Sequence, residues 1–481
     1  MNSRGMLGAL LLVLGLPAGQ AAQPTLGFER VVENILQQYP SLEVARLQVQ
    51  RSRQEIARVH SRLGWELAGN AGVAHDVSVF GTPTDRADVN LSLERQLESG
   101  HRVGISGNYT YEDSSFTVNP RFPNPSHATE LDLNYRIPLR QGEDNPLYSE
   151  SLTGAQAGVE AERAAARALR NEIANQALDL FYAKALTEAR LASAGEGVEN
   201  ARRLQAYIAE RRELGLAEKK DTLQVQAQVR AQQTARQRLE MALEQQRIAL
   251  NRLMGAPWQR RYRSAVQLET TLSDYEVEAL IGQAEVHYPP LQQNRARLEV
   301  TETVLRRSRD QRKDQLDLVF SVGTRTRSGD ATNGSVSEED MAGQIRVEYR
   351  ESLNKQGLDA EVRQAQLDRT IAMEEIRRAR DELRYGVASL VQEIRATRRA
   401  LDSARGRLQS EQDKYREAMQ RYRQGREQTD RLIQFDNERN EARLTLAELE
   451  VELARRLSAL QILHGSFWAA LDSGMNPGEL P

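Results

Sequence analysis

Apolar and polar residues repeat with two different periods along this chain, and the two periods occupy alternating sections. From Gly357 to Tyr422 the pattern is helical and contains no proline. A helix of that length would extend on the order of 100 Å at 1.5 Å per residue, which is too far for a compact domain. Near the C-terminus a heptad-like seam predicts long helices that touch along narrow lines. The seam consists of Leu446, Leu449, Leu453, Leu457, Leu460 and Leu463.

Other sections alternate between apolar and polar residues, which is the period of a β-strand with one apolar face. In residues 87–97, for example, Val89, Leu91 and Leu93 alternate with polar residues. A half-buried sheet of a soluble protein shows the same alternation, so a single strand does not distinguish it from a membrane strand. The pattern recurs in residues 101–111, 130–139, 315–323 and 343–351.

The segments between these sections favour strands that cross a membrane. Polar stretches at 114–129 and 328–340 predict long loops, whereas residues 98–101 predict a short turn. Strands of about ten residues, long outer loops and short inner turns are typical of outer-membrane barrels. Such strands must close into a ring, because unpaired backbone groups in lipid cost several kcal/mol.

The chain contains a tandem duplication. Residues 26–73 align without gaps on 275–322, and residues 215–255 align without gaps on 425–465. Between these blocks the first half is about 39 residues longer than the second, which is enough for four strands rather than two. Two alternatives therefore remain open. Each copy contributes six strands to a wider shared barrel, or it contributes four strands and the remaining hairpin lies outside the barrel.

The duplication predicts an α+β membrane protein in which each half carries strands and one long helical hairpin. The expected segments are a signal peptide at 1–22, a first repeat at 23–258 with β-strands at 65–140 and a hairpin at 147–255, a linker at 259–274, a second repeat at 275–470 with β-strands at 315–351 and a hairpin at 356–468, and a C-terminal tail at 471–481.

The N-terminus predicts export. Arg4 precedes an apolar run from Met6 to Leu16, and small residues follow it, as at a signal-peptidase site. The run is shorter than the roughly 20 residues that a membrane-spanning helix needs. The chain has no cysteine, which excludes disulfides and thiol chemistry and leaves no residue for a bacterial lipid anchor.

Composition and charge exclude several function classes. The formal net charge is -3, and the arginines are interleaved with glutamates, so there is no reason to expect a nucleic-acid partner. The six histidines are scattered without metal-ligand spacing. No phosphate-binding loop or nucleophile motif is present. We therefore expect no enzymatic activity, no cofactor and no metal site.

The ordered set of features resembles the TolC-like outer-membrane efflux proteins. The features are the duplicated order of helix, strands and long hairpin, the sequence "YRIPLRQGEDN" at 135–145, and a glycine turn repeated in each long hairpin. The resemblance implies a homotrimer that closes one β-barrel in the outer membrane and continues as a hollow α-barrel across the periplasm. It also implies a periplasmic adaptor protein and an inner-membrane pump as partners, with either small-molecule efflux or type I secretion as the task.

Matching glycine turns interrupt the two long hairpins. Glycine adopts the left-handed conformation that ends a helix, and an acid stabilises the start of the next one, so any helical hairpin could use these residues. The resemblance implies a second role, in which the turns are the periplasmic tips that dock the adaptor. The implied docking residues are Gly215, Leu216, Asp221, Gly425, Arg426 and Asp430.

A candidate pore constriction lies beside the second tip. Some TolC-like proteins carry an acidic ring at this place, whereas this chain combines Asp430 and Asp436 with Arg431. The mixed charge leaves the ion preference open. The alternative function is a periplasmic coiled-coil adaptor or scaffold with a soluble β-domain; two long hairpins and outward-facing strands argue against it.

Overall fold

Long helices and one large sheet make up the chain in the computed structural model. The structure describes residues 24–77, 83–115, 123–215, 217–266 and 276–474. The predicted signal peptide at 1–22 and the candidate docking residue Leu216 lie outside these ranges. The helices are α1 (Phe28–Gln38), α2 (Pro40–Ser61), α3 (Pro146–Glu213), α4 (Lys219–Leu253), α5 (Val277–His287), α6 (Pro289–Gln311), α7 (Gln356–Arg423), α8 (Thr429–His464) and α9 (Ser466–Gly474).

Within the described ranges the strands fall into two sheets. β1 and β6 form a short parallel pair, and β6 lies inside the predicted linker at 259–274. The other six strands form one sheet in the order β2-β3-β4-β5-β7-β8, with every neighbouring pair antiparallel. The strands are β1 (Thr25–Gly27), β2 (Trp65–Val77), β3 (Pro83–Gln96), β4 (Arg102–Ser114), β5 (Ser126–Pro138), β6 (Arg263–Ala265), β7 (Gln315–Ala331) and β8 (Gly334–Arg350).

Local sequence explains where the helices begin. α2 and α6 each start at a proline that follows a tyrosine, and proline is tolerated in the first turn because its missing N–H has no helical partner there. α3 and α7 are both 68 residues long, which corresponds to about 100 Å. The prediction of a very long helix in the second half is therefore confirmed.

The six-stranded sheet corrects one sequence prediction and decides another. Residues 328–340 do not form a long loop, because β7 continues to Ala331 and β8 begins at Gly334. Only Thr332 and Asn333 connect these 17-residue strands. Residues 328–340 are mostly polar, so the sequence predicts a loop. They form strands because their backbone groups pair across the hairpin, and this pairing does not depend on hydrophobicity. The sequence left open whether four or six strands belong together, and the structure places six strands in one sheet.

The helices next to the sheet pack side by side. Here α2 packs on α3, α3 on α6, and α6 on α7. Farther from the sheet, α4 packs on α3, α3 on α8, and α8 on α7. The main core joins the two halves where Phe28 packs against Phe181, Tyr182 and Phe467. None of the helices in the described part of the chain has an apolar segment long enough to cross a membrane.

Candidate functional site

One face of the six-stranded sheet is apolar and exposed. The register places Leu67 beside Leu93, Leu93 beside Ile105, Ile105 beside Leu133, and Leu133 beside Val322. Partners in antiparallel register share a face, so these side chains form one apolar row across five strands. Each is exposed or half-buried. The large hydrophobic side chains on this face that are at least 40% exposed are Trp65, Leu67, Val73, Val77, Val89, Leu91, Ile105, Tyr109, Leu131, Leu133, Val322, Met341, Ile345, Val347 and Tyr349.

Contiguous apolar patches on soluble monomers are normally small, whereas this face carries fifteen large hydrophobic side chains that are at least 40% exposed. The alternation predicted from sequence put Leu91 and Leu133 on apolar strand faces, and the register shows that both lie on the same face of one sheet. A surface of this kind requires either another protein or lipid against it.

The opposite face of the sheet is polar and carries ion pairs between strands. Arg136 Nη1 lies 2.8 Å from a carboxylate oxygen of Asp317 and 2.9 Å from one of Glu348. Farther along the strands, Arg325 pairs with Glu130 at 3.6 Å. The side chains of this face are charged or polar over most of its length, so it suits contact with water.

Both glycine turns adopt the same backbone conformation at the far ends of the long helices. Gly215 follows α3 with φ of 73°, and Gly425 follows α7 with φ of 72°. A Cβ atom at either position would meet no heavy atom within 4 Å, so the space beside both glycines is open. Both turns therefore need a residue that tolerates positive φ, and both leave room for another molecule to approach.

The two acids after the turns cap helices, as the sequence indicated. The Asp221 carboxylate accepts a hydrogen bond from the Glu218 backbone N–H at 2.9 Å and completes a capping box at the start of α4. Asp430 lies in the first turn of α8, where a negative charge favours the helix dipole. Its carboxylate also contributes to raising the pKa of Lys220, behind the larger contribution of Glu218, so the two turns are electrostatic neighbours.

The two hairpin ends are joined through Tyr422. Arg211 Nη1 on α3 donates to the Tyr422 carbonyl oxygen at 3.1 Å, and its guanidinium carbon lies 5.2 Å from the centre of the Tyr422 ring. The Tyr422 hydroxyl also lies 3.1 Å from Thr429 Oγ1. Arg211 and Tyr422 were missed by sequence reasoning, because the first turn has Arg212 at the place equivalent to Tyr422 and no periodicity marks the contact.

Known sequences do not identify this chain, but known structures do match it. No protein-family model matches the sequence, and no curated protein matches it. The outer membrane protein VceC of Vibrio cholerae is 15% identical with a TM-score of 0.63, over 91% of this chain and 96% of VceC. The Campylobacter jejuni CmeC outer membrane channel is 14% identical with a TM-score of 0.61, over 99% of each chain. The open-state Neisseria gonorrhoeae MtrE outer membrane channel is 16% identical with a TM-score of 0.55, over 92% of this chain and 89% of MtrE.

This chain has the TolC-like outer-membrane channel fold. The match extends over nearly the whole length, so it includes the sheet, both long hairpins and the short helices between them. The resemblance inferred from the duplicated order of elements is confirmed at the level of the fold.

Within the TolC-like fold, the three candidate constriction residues occupy different environments. Asp430 and Arg431 are exposed at the start of α8. The Asp436 side chain is only 13% exposed and pairs with Arg439 at 2.5 Å. Burial raises the pKa of Asp436, against the opposing effects of Arg439, Asn440 and Arg203.

The position of Asp436 changes its candidate role. Its carboxylate pairs with Arg439 one turn along the same helix, and the Arg439 guanidinium carbon lies 4.1 Å from the centre of the Tyr415 ring on α7. Asp436 is therefore largely buried near the end of the second hairpin, whereas Asp430 and Arg431 are exposed. Across the described ranges, no group of three or more histidine, aspartate or glutamate side chains is placed to bind a metal ion.

Proposed function

We propose that this protein is the outer-membrane channel of a tripartite efflux or type I secretion system. In this proposal a homotrimer forms a passive exit duct across the periplasm and the outer membrane. One observation carries the proposal: a sheet with an exposed apolar face is continuous with helices of 68 residues in the same chain. The apolar face would contact outer-membrane lipid, and the helices would extend into the periplasm.

The connections between sheet and helices support a single rigid duct. Only residues 139–145 separate β5 from α3, and only residues 351–355 separate β8 from α7. Asn145 caps α3 and also donates from Nδ2 to the Leu97 carbonyl oxygen at 3.1 Å, which ties the start of the helix to the β3–β4 turn. These short connections limit rotation of the strands against the helices, and in the proposed homotrimer the polar sheet face would lead into the space that the helices enclose.

Transport through the duct would break no covalent bond, and the inner-membrane pump would supply the energy for export. Export by the N-terminal signal peptide, without a lipid anchor, belongs to the same proposal. The tips would dock the periplasmic adaptor through Gly215, Leu216, Asp221, Gly425, Arg426 and Asp430. Asp430 and Arg431 would line the tunnel mouth, and Asp436 would hold its wall.

Cell fractionation and bilayer recordings test the duct. We expect the mature protein in the outer-membrane fraction, and we expect the purified protein to conduct ions in planar bilayers. Recovery in the soluble periplasmic fraction would overturn the duct and support a periplasmic scaffold.

Valine at the tip glycines will weaken adaptor capture. At φ near +72° a β-branched residue is strained by about 1–2 kcal/mol, and its side chain fills the open space beside the turn. We expect Gly215→Val and Gly425→Val each to lower adaptor recovery in crosslinked cell extracts at least tenfold. Trimer yield should not change.

Two further variants separate docking from turn geometry. Gly406→Val adds the same side chain in the middle of α7, where the space is also open, and should leave capture unchanged. Gly425→Asn keeps the left-handed turn but fills the approach path, so it should also weaken capture. Normal capture by the Gly425 variants would exclude this tip from docking.

A further inference from the structure

Exposed arginines are concentrated in the connection between the two halves of the chain. Residues 245–266 contain five arginines and no aspartate or glutamate, although acidic residues outnumber basic ones in the whole chain by 68 to 65. Four of these arginines are exposed and form no ion pair with a described residue, and an exposed tryptophan lies among them. The exposed residues that define this linker cluster are Arg252, Trp258, Arg260, Arg261 and Arg263.

Acids close to the linker cluster are engaged by buried cations. Glu244 accepts a hydrogen bond from Arg247 Nε at 3.0 Å, and this bond is the largest cause of the lowered pKa of Glu244, with Arg261 a smaller one. Glu188 lies 2.6 Å from Nζ of the buried Lys184. The exposed arginines therefore carry positive charge that no acid in the described part of the chain neutralises by direct contact.

Contacts from the buried side fix the backbone of the linker cluster. Arg247 Nη1 and Asn251 Nδ2 each donate to the Arg260 carbonyl oxygen at 2.8 Å, and both also donate to the Trp258 carbonyl oxygen. Next along the chain, β6 pairs with β1. The backbone that carries the exposed side chains is thus held in place before any partner binds, which lowers the entropy cost of binding.

The linker cluster lies near the middle of the long helix α3. Lys184 Nζ on α3 donates to the Tyr262 carbonyl oxygen at 3.0 Å and to Ser264 Oγ at 3.1 Å. Lys184 comes 38 residues after the start of α3 at Pro146 and 29 residues before its end at Glu213. At 1.5 Å per residue, the cluster lies roughly 57 Å from the sheet end of α3 and roughly 44 Å from the tip end.

The elements around the linker cluster form a second layer on the helices. β6 and α1 both pack on α3, and β1 joins them. In the proposed homotrimer this layer cannot face inward, because it would occupy the space through which solutes pass. The layer therefore faces the periplasm, and this placement of the cluster rests on the proposed function.

We propose that the linker cluster binds the bacterial cell wall, a glycan polymer whose peptide branches carry repeated carboxylates. A guanidinium group matches a carboxylate in charge and in shape, because both are planar and can form two parallel hydrogen bonds. Trp258 is 61% exposed and offers a flat ring to the apolar face of a sugar. Three copies would present three clusters at one height of the duct, so one polymer network would engage several of them at once.

The shape of the surface favours a polymer over a folded acidic protein. Trp258 is the only large apolar side chain that is exposed in residues 255–266. A stable protein–protein interface usually buries about 800 Å² on each partner around an apolar core. A narrow cationic strip without such a core suits repeated weak contacts with carboxylates along a polymer.

Sedimentation with isolated cell walls tests this binding. Full-length protein purified in detergent is mixed with protein-free cell-wall sacculi, and the share of protein that pellets with them is measured. We expect Arg260→Gln combined with Arg261→Gln to lower this share about fivefold, since three copies would lose six charges from the contact. Trp258→Ala should lower it about twofold through the loss of stacking. Conversion of the wall carboxylates to neutral amides should release the unmodified protein as well.

An equal change of charge elsewhere provides the control. Arg230 and Arg238 are also exposed, and they lie on α4, with Arg238 14 residues before Arg252. That spacing corresponds to about 21 Å along the helix. Arg230→Gln combined with Arg238→Gln should pellet as the unmodified protein does. Ion conductance in planar bilayers should be unchanged in all of these variants, because the cluster lies outside the duct.

Each outcome decides either the wall contact or the duct. Equal pelleting with and without the charges of Arg260 and Arg261, or pelleting that survives neutralisation of the carboxylates, would overturn the wall contact. Protein that conducts ions but does not pellet would overturn the wall contact and leave the duct standing. Protein that pellets through the cluster but is recovered in the soluble periplasmic fraction would support the wall contact and overturn the duct.

A photocrosslinker at the exposed Gln259 tests for a protein partner in cells. We expect no discrete protein adduct from this position. A discrete adduct, together with failure to pellet on cell walls, would assign the linker cluster to an acidic protein and overturn the proposal.

Discussion

Arginine in place of Leu133 will keep this protein out of the outer membrane, whereas arginine in place of Asn134 will not. Leu133 lies near the middle of β5 on the exposed apolar face, between Ile105 and Val322 in register. A lipid-facing arginine near the middle of the bilayer costs about 2–4 kcal/mol in each chain. Every copy in the proposed homotrimer carries the change, so the cost would accumulate in the barrel that the three copies close.

Asn134 provides a control one residue away. It lies on the polar face of the same strand, where its Nδ2 donates to Ser106 Oγ at 3.0 Å. Arginine there would project into the water-filled side of the sheet. The measurement is the share of each variant that floats with outer membranes on a sucrose gradient. Normal recovery of Leu133→Arg would show that lipid does not cover the apolar face.

Removal of the inserted hairpin, which consists of β3 and β4 between β2 and β5, is expected to narrow the barrel of the proposed homotrimer. We would replace residues 83–123 with Thr332 and Asn333, because the repeat offsets of 249 and 210 residues make residue 82 equivalent to Ala331 and Asn124 equivalent to Gly334, the residues on either side of the β7–β8 connection. Three shortened sheets would then give twelve strands instead of eighteen. Barrel diameter grows roughly linearly with strand number, so it should fall by about a third and the cross-section by about half.

The size of polymer that enters the channel from the side of the β-barrel reports the barrel diameter, and it does not depend on the glycine turns at the far ends of the long helices. Polyethylene glycols of increasing size are added on that side of a planar bilayer, and the largest size that still lowers the current is recorded. We expect the shortened chain to exclude polymers that enter the full-length channel. Equal exclusion limits would contradict a barrel in which the inserted hairpin is part of the wall.

Much of the fold followed from local patterns. Strand alternation depends only on neighbouring residues, so Val89, Leu91 and Leu93 could be assigned to one face before any partner strand was known. Glycine turns at 215 and 425 were predictable for the same reason, because positive φ is a property of the single residue. The duplication was visible because each half repeats the same spacing of apolar residues.

The candidate site was predictable only in part. Gly215, Gly425, Asp221 and Asp430 were found because capping and turn chemistry are local. The link from Arg211 to Tyr422 was not, since it joins residues 211 positions apart. The same limit explains Asp436, whose pairing with Arg439 is local but whose burial comes from the packing of distant helices.

The sequence by itself determined the two periods, the duplication, the length of α7 and the faces of five alternating segments, because these depend on residues close together in the chain. The tertiary structure alone decided that β5 pairs with β7, that six strands share one sheet, and that residues 328–340 extend two strands. These features depend on backbone pairing and packing between segments that lie far apart in the chain, and hydrophobic periodicity carries no information about which segments become neighbours.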